Sequence, residues 1–466
     1  MRVRRAGTDP DPSRLVTWRN RLVEYTPPVW WMPIALMVAT EYKLRRRAND
    51  QTVSGSFDAF ILLELAVYAA VGAYVLFKLR AQLRPVPIVV FTVGWCLAAA
   101  VSTLYAPSPM LAIVRAVQLV IIVLVVLRVV HDGDVSLVRR FLHGYVVLTT
   151  VSIAIGLAYV APTTGEQAGR FTWLFTHSVV AGSMLAMSTV VLFGMWLTHK
   201  VAQLPWARWA YGAMLVVNAV SLVRTRTRGS IGAALIAVVV LAVLWLRAEG
   251  KRDLMLTSFV AITAIASTVG SQIVAYYLRN EDAEKLASFN NRTLVWEIAI
   301  ESFERRPLHG RGLTASRSLF LDDTGLGGAH NAYINVMVDV GLVGLFFWGG
   351  LLVLVTVGAW RLRHRVRRTD GADALTFDSV TAFSLMVCQL VNAITAEYVG
   401  AGVSATALLL YMTGAWVVLA GDARDQVERN TTLARDAAER EMAVTAGAPG
   451  PAKTATTRLG RTSVTS

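Results

Sequence analysis

The strongest constraint on this chain is a succession of apolar runs, each close to the length of a bilayer helix and separated by short arginine-bearing gaps. About 20 apolar residues at helical rise cross a hydrocarbon core of roughly 30 Å, and backbone groups in lipid must be paired within the segment. Such runs lie at 28–40 (short), 58–79, 86–106, 110–130, 141–161, 179–197, 206–223, 229–246, 254–278, 342–360, 377–395 and 403–419. They predict an all-α, polytopic membrane protein with about twelve transmembrane helices and one long extracytoplasmic loop containing short helices. With 55% hydrophobic and 16% charged residues, a soluble globular domain is excluded. Cys96 and Cys388, the only cysteines, both sit inside apolar runs, which leaves neither a disulfide framework nor a cysteine-based zinc site.

The formal net charge of +14 would suggest nucleic acid in a soluble protein, but here its distribution matters more. Cytoplasmic loops collect Lys and Arg. Placing the N-terminus inside makes the short basic segments 80–84, 131–140, 199–208, 247–253 and 361–368 cytoplasmic. It also puts both termini in the cytoplasm, as expected for a multi-pass protein of the cytoplasmic (inner) membrane. Residues 1–25 read as a basic arm, 26–420 as the membrane domain with its outer loop at 279–340, and 421–466 as a cytoplasmic tail. In the tail, 422–442 has helical charge spacing and 443–466 has the composition of a disordered segment.

Four outward loops break the charge rule. One carries Lys43, Arg45, Arg46 and Arg47, which read as headgroup contacts. The others carry Arg170 with His177; Arg224, Arg226 and Arg228; and Arg292, Arg305, Arg306, Arg311 and Arg317. A single arginine at a helix end can simply snorkel to lipid headgroups. Three such loops together suit an anionic ligand, since guanidinium forks donate paired hydrogen bonds to phosphate oxygens and stay charged.

The long loop is where extracytoplasmic chemistry is expected. Residues 292–303 have the pattern of an amphipathic helix, Pro307 stops it, and Gly310-Arg311-Gly312 gives a turn. A glycine-rich stretch, 325–329, then delivers His330 to the start of a helix running through Val336, Met337 and Val340 to Gly341 and the next span. His330 can act as a general base or can simply cap the helix, and His177 is a second candidate of the same kind. Asp132-Gly133-Asp134 matches a metal-holding Asp-x-Asp pattern by chance, in a turn with no nucleotide-binding domain. No metal site, cofactor or ATP-type phosphate loop is read from the chain.

Three motifs in this order resemble the bacterial O-antigen ligase and O-antigen polymerase superfamily. They are Ser221 to Gly229 leading into an apolar helix; Asn291-Arg292-Thr293-Leu294-Val295-Trp296 followed by Pro307-Leu308-His309-Gly310-Arg311-Gly312; and His330-Asn331-Ala332-Tyr333 followed by Gly341-Leu342-Val343-Gly344. Arg170-Phe171-Thr172 with Phe175 and His177 is similar to the family's outer-loop segment before a span. The chain departs from the family's Ser-Arg-Gly, having Thr227-Arg228-Gly229 preceded by Arg224 and Arg226, and it carries Trp173 where a glycine is expected.

The resemblance implies a metal-independent, inverting glycosyltransfer at the outer face, from a glycan on undecaprenyl diphosphate to a glycan or glycolipid acceptor. By the family's pattern His330 is the base, and Arg228 and Arg292 bind the donor diphosphate. Arg170, Arg311, Arg224 and Arg226 add to that charge by position, while His177, Asn331 and Tyr333 are candidates to line the pocket. Ligase and polymerase share these residues. The other class considered is a flippase of polyprenyl-linked glycans, which should carry charge at mid-bilayer depth and show repeated halves; here the charge gathers in outer loops and the halves differ.

Overall fold

A computed structural model describes residues 29–42, 58–78, 84–156, 169–172, 177–198, 206–251, 253–254, 257, 267, 271–272, 292–324, 328–364, 372–400 and 403–445. The basic arm, Arg45 to Arg47, most of the run 254–278, Trp173, Phe175 and the tail beyond 445 lie outside the described residues.

All regular structure among the described residues is helical. The elements are α1 (Trp31–Glu41), α2 (Ala59–Lys78), α3 (Pro87–Ser102) with a 3-10 turn at Thr103–Tyr105, α4 (Pro109–Asp132), α5 (Val135–Gly156), α6 (Ser178–Leu197) and α7 (Ala207–Arg224). Then follow α8 (Arg228–Ala248), α9 (Arg292–Arg305), α10 (Ala315–Thr324), α11 (Ala332–His364), α12 (Ala372–Thr395) and α13 (Ala405–Thr445). Among the described residues, nine helices are long and apolar enough to cross a membrane, whereas α1 has only 11 residues. The eighteen-residue α7, expected as a span, is not among the nine.

The helices start and stop where the local chemistry requires. Pro at the first position opens α3 and α4, where its missing N–H has no helical partner to lose. Asp58 Oδ1 accepts from the N–H groups of Phe60 and Ile61 at 3.0 Å and so caps α2. One expected boundary is corrected. The basic segment 131–140 is not a loop: only Gly133 and Asp134 separate α4 from α5. Gly133, at φ 71°, ends α4 in the left-handed conformation, and Asp134 Oδ1 takes the Ser136 N–H at 2.8 Å to start α5. Asp-Gly-Asp is helix punctuation. Arg139 can lie inside α5 because its guanidinium pairs with the buried Asp378 of α12, which also accepts from Trp416 Nε1 at 2.9 Å.

The chain packs as two units, Met1–Ala420 and Gly421–Ser466. In the second, the described residues are helical and those at 425–442 exposed, with i,i+4 pairs such as Arg435–Glu439. In the first, α6 is the central helix: nearly all of it is buried, whereas α2 is mostly exposed. Gly182, Ser183, Ala186, Ser188 and Gly194 make α6 narrow enough for α8 and α12 to pack closely against it. Two contacts fix α12 antiparallel to its neighbours. Thr381 fills the space beside Gly194, and Ser230 Oγ donates to Asn392 Oδ1 at 2.9 Å.

Candidate active site

The loop ends of α6, α7, α8, α11 and α12 meet at one end of the membrane unit. The turn between α7 and α8 is the first component. Thr225 continues α7, Arg226 has φ 52°, and Thr227 precedes α8. Left-handed backbone costs an L-residue with a Cβ roughly 1–2 kcal/mol, so neighbouring groups must hold it. Arg170 supplies that hold. Its Nε donates to Thr225 O at 3.0 Å, its terminal nitrogen to Thr227 Oγ1 at 3.3 Å, and Phe171 N donates to Arg224 O at 3.0 Å. Thr227 Oγ1 in turn donates to Ser178 O at 3.0 Å, tying the turn to the start of α6. The outcome leaves Arg224 and Arg226 exposed and Arg228 half-buried as the first residue of α8.

The two histidines stand at helix starts. His177 Nδ1 accepts the Val179 N–H at 3.2 Å, which places its proton on Nε2 and makes it the cap of α6. Burial, then the positive potential of His330 and Arg170, pushes its pKa down to about 4. His177 is therefore a neutral hydrogen-bond donor at ordinary pH, poorly suited to take a proton.

His330 is held from both sides in the left-handed region, at φ 50°. Before it, Ala329 N donates to Asn335 Oδ1 at 3.1 Å, and Ala329 O accepts from Trp296 Nε1 at 3.2 Å. After it, Asn331 Oδ1 accepts from Tyr333 N at 2.9 Å and Ile334 N at 3.2 Å. The cap of α11 is thus Asn331, and His330 is left at its tip. Tyr333 is turned into the bundle, its hydroxyl donating to Leu390 O at 3.2 Å and its ring edge-on to Trp348.

Arg292 opens α9 and lies 3.4 Å from Thr395 O at the end of α12. Thr395 also fills the space beside Gly229, so the residue after Arg228 and the anchor of Arg292 touch the same side chain and backbone. Burial lowers the Arg292 pKa and Glu397 opposes that shift; both leave it charged at any working pH. Glu397 is a buried carboxylate that accepts from Asn335 Nδ2 at 3.1 Å. The sequence does not mark it, since it stands alone between two apolar runs with no motif around it.

The backbone of Arg311 belongs to a separate joint. The segment 307–312 is a strap across a break in α11. Gly341, at φ 66° and ψ −157°, interrupts that helix, and the strap pairs the backbone groups the break exposes. Arg311 N donates to Val338 O and Gly312 N to Asp339 O, both at 2.8 Å, while Leu342 N donates to Pro307 O at 2.8 Å and Val343 N to Leu308 O at 3.1 Å. The Asp339 carboxylate completes the joint by accepting from Thr314 N at 3.2 Å and Ser316 N at 2.7 Å, capping α10. Arg317 on α10, which no sequence motif marks, is a further buried arginine. Burial, then nearby Arg115, lowers its pKa, against the opposing pull of Glu397. Among the described residues no cluster of three or more His, Cys, Asp or Glu is placed to hold a metal ion.

What these features define is a multi-pass helical membrane protein with arginines, two histidines and a buried carboxylate gathered at one end of its bundle. Residues 213–349 match the family model described as O-antigen ligase. This match covers less than a third of the chain; it is consistent with the O-antigen ligase and polymerase superfamily and suggests a membrane glycan-transfer role. The matched segment includes Arg228, Arg292, Arg311 and His330, while Arg170, His177 and Glu397 come from outside it. No curated protein matches the chain.

Proposed function

We propose that the protein transfers a glycan from undecaprenyl diphosphate to a hydroxyl of a glycan or glycolipid acceptor, at the outer face of the cytoplasmic membrane, with both termini in the cytoplasm. His330 takes the proton of the acceptor hydroxyl as its oxygen attacks the anomeric carbon. The bond from that carbon to the diphosphate oxygen breaks with inversion, and the diphosphate leaves with the electron pair. Arg228 and Arg292 take up the charge that develops on it, which is where fixed positive groups contribute most. Arg170 shapes the turn that presents Arg224, Arg226 and Arg228; His177 donates from Nε2. A polyprenyl diphosphate carries its own leaving group, so neither ATP nor a metal is required by this scheme.

The observation that supports this reading most is the junction at Thr395, which holds Arg292 through its carbonyl and abuts the residue after Arg228. The test is release of free polyprenyl diphosphate from a polyprenyl-diphosphate oligosaccharide by the purified protein in lipid, wild type beside His330→Ala. Release that depends on His330 supports transfer. Movement of the donor between leaflets without release would favour a flippase and overturn it.

A further inference from the structure

The short turn after α12, residues 396–400, touches the site on three sides. Thr395, where the turn begins, holds Arg292 through its carbonyl and packs against Gly229, next to Arg228. Gly400, where it ends, lies against the start of α11: a Cβ there would be 2.9 Å from Ala332 O and 3.0 Å from Val336 Cγ2. Between them Glu397 meets the loop that carries His330. A Cβ on Gly328 would lie 1.7 Å from Glu397 Oε2 and 2.7 Å from its carboxyl carbon, so the backbone two residues before His330 rests directly on the carboxylate.

Chemistry fixes the direction of the link. The Ala329 N–H can only donate, so the Asn335 side-chain oxygen must face it, as it does at 3.1 Å. The Asn335 amide nitrogen is thereby turned towards Glu397 Oε2, also at 3.1 Å, and needs an acceptor there. An ionised carboxylate only accepts, so the relay from Glu397 through Asn335 to Ala329 has a single arrangement. His330 is the next residue, at φ 50°, a conformation that persists only where the surroundings hold it. The turn itself is tied down: Gly400 N donates to Glu397 O at 3.1 Å, and Tyr398 O accepts from Ser404 Oγ at 2.7 Å. A change at 397 is therefore passed to the loop and not absorbed by the turn.

We propose that Glu397 is a positioning residue for His330. Through Gly328 and Asn335 it seats the His330 loop on the same turn that anchors Arg292 and abuts Gly229, and so sets the distance from the base to the donor arginines. The inference rests on the reading of His330 as the base.

Two substitutions at 397 separate reach from charge. Glu397→Asp keeps the charge and draws the carboxylate back by one carbon–carbon bond, about 1.5 Å, which breaks the contact with Asn335. Glu397→Gln keeps the reach and an acceptor oxygen. With the full-length protein in lipid, Glu397→Asp is expected to lower kcat for polyprenyl diphosphate release by about 10- to 100-fold at unchanged donor KM, and Glu397→Gln by only about threefold. A second readout needs no activity. In the His330→Cys protein the introduced thiol is followed with a water-soluble maleimide, the native Cys96 and Cys388 being buried. Adding Glu397→Asp should speed its labelling by about tenfold or more, and adding Glu397→Gln should not. Labelling unchanged by Glu397→Asp would overturn the proposal, as would a Glu397→Asp protein with wild-type kcat beside an inactive His330→Ala. An active His330→Ala would instead remove the base, and the labelling comparison would still decide whether Glu397 holds the loop.

Discussion

Replacing Gly229 by alanine tests whether the junction at Thr395 sets the spacing of the two donor arginines. A Cβ at position 229 would lie 1.8 Å from Thr395 Oγ1 and 2.4 Å from Thr395 Cβ, against an ordinary contact of 3.4 Å. The side chain cannot rotate out of the way, because its own Cβ is too close, so α8 or the end of α12 must shift by more than 1 Å. Overpacking of this kind costs about 1–3 kcal/mol. A misplacement of about 1 Å at a catalytic constellation can lower turnover by about 100-fold. Because Arg228 precedes Gly229 and Arg292 is anchored on Thr395 O, the shift falls on the distance between them. Polyprenyl diphosphate release in proteoliposomes is expected to fall by about 10- to 100-fold in kcat/KM. Unfolding can be followed in parallel with a thiol-reactive dye, since Cys96 and Cys388 are both buried. The double variant Gly229→Ala with Thr395→Gly removes the obstructing atoms, keeps the carbonyl, and should recover most of the lost activity. A Gly229→Ala protein that melts lower yet turns over like the wild type, or a double variant no better than the single one, would refute the argument.

Four further outcomes are expected. Arg170→Lys forfeits the two-point hold on Thr225 O and Thr227 Oγ1, should cost about 1–2 kcal/mol, and should slow transfer, read by melting and turnover together. Asn331→Ala should destabilise by about 1 kcal/mol while Asn331→Asp does not, since only the cap is at stake; equal loss of turnover in both at unchanged stability would restore Asn331 to the pocket. His177, normally near 6.5 and held at about 4, stabilises the fold fully above pH 6.5 and loses that contribution as pH falls towards 4. His177→Asn keeps a capping oxygen and should flatten the melting-temperature profile across that window. Gly341→Ala would put a Cβ 2.6 Å from Gly310 N and Leu308 O, which are backbone atoms, and should cost more than about 3 kcal/mol or prevent folding, read by dye unfolding.

The membrane character was legible because backbone pairing in lipid leaves no alternative to a long apolar helix, and nine such helices stand where runs were read. Where reading by charge went astray, the cause was distance along the chain: Arg139 looks like a loop residue until Asp378, far away in sequence, is seen to pair with it. The spacing of the family's motifs led to Arg228, Arg292 and His330. It did not show that Arg311 belongs to a strap, since that role is carried by backbone N–H and C=O groups, which every residue has. Tyr333 was assigned by closeness in sequence to His330, but three positions along a helix after a left-handed residue point elsewhere, towards Trp348. Glu397 had no local signal at all; its meaning lies in Asn335, Arg292 and Arg317, each brought to it by a different helix.

The break at Gly341 has a bearing on how the protein is made. Residues 307–312 emerge from the ribosome well before 338–343, and until both are in place each set carries backbone groups that the other must satisfy. Near lipid such groups are costly to leave open. Placement of α11 and closure of the loop thus depend on each other. A chain whose α11 enters the membrane at the wrong depth or in the wrong direction cannot close the strap, and four exposed polar contacts mark it as misassembled. The Pro-Leu-x-Gly-x-Gly motif therefore makes the loop and the break in α11 one unit, so that a change in either is felt by both.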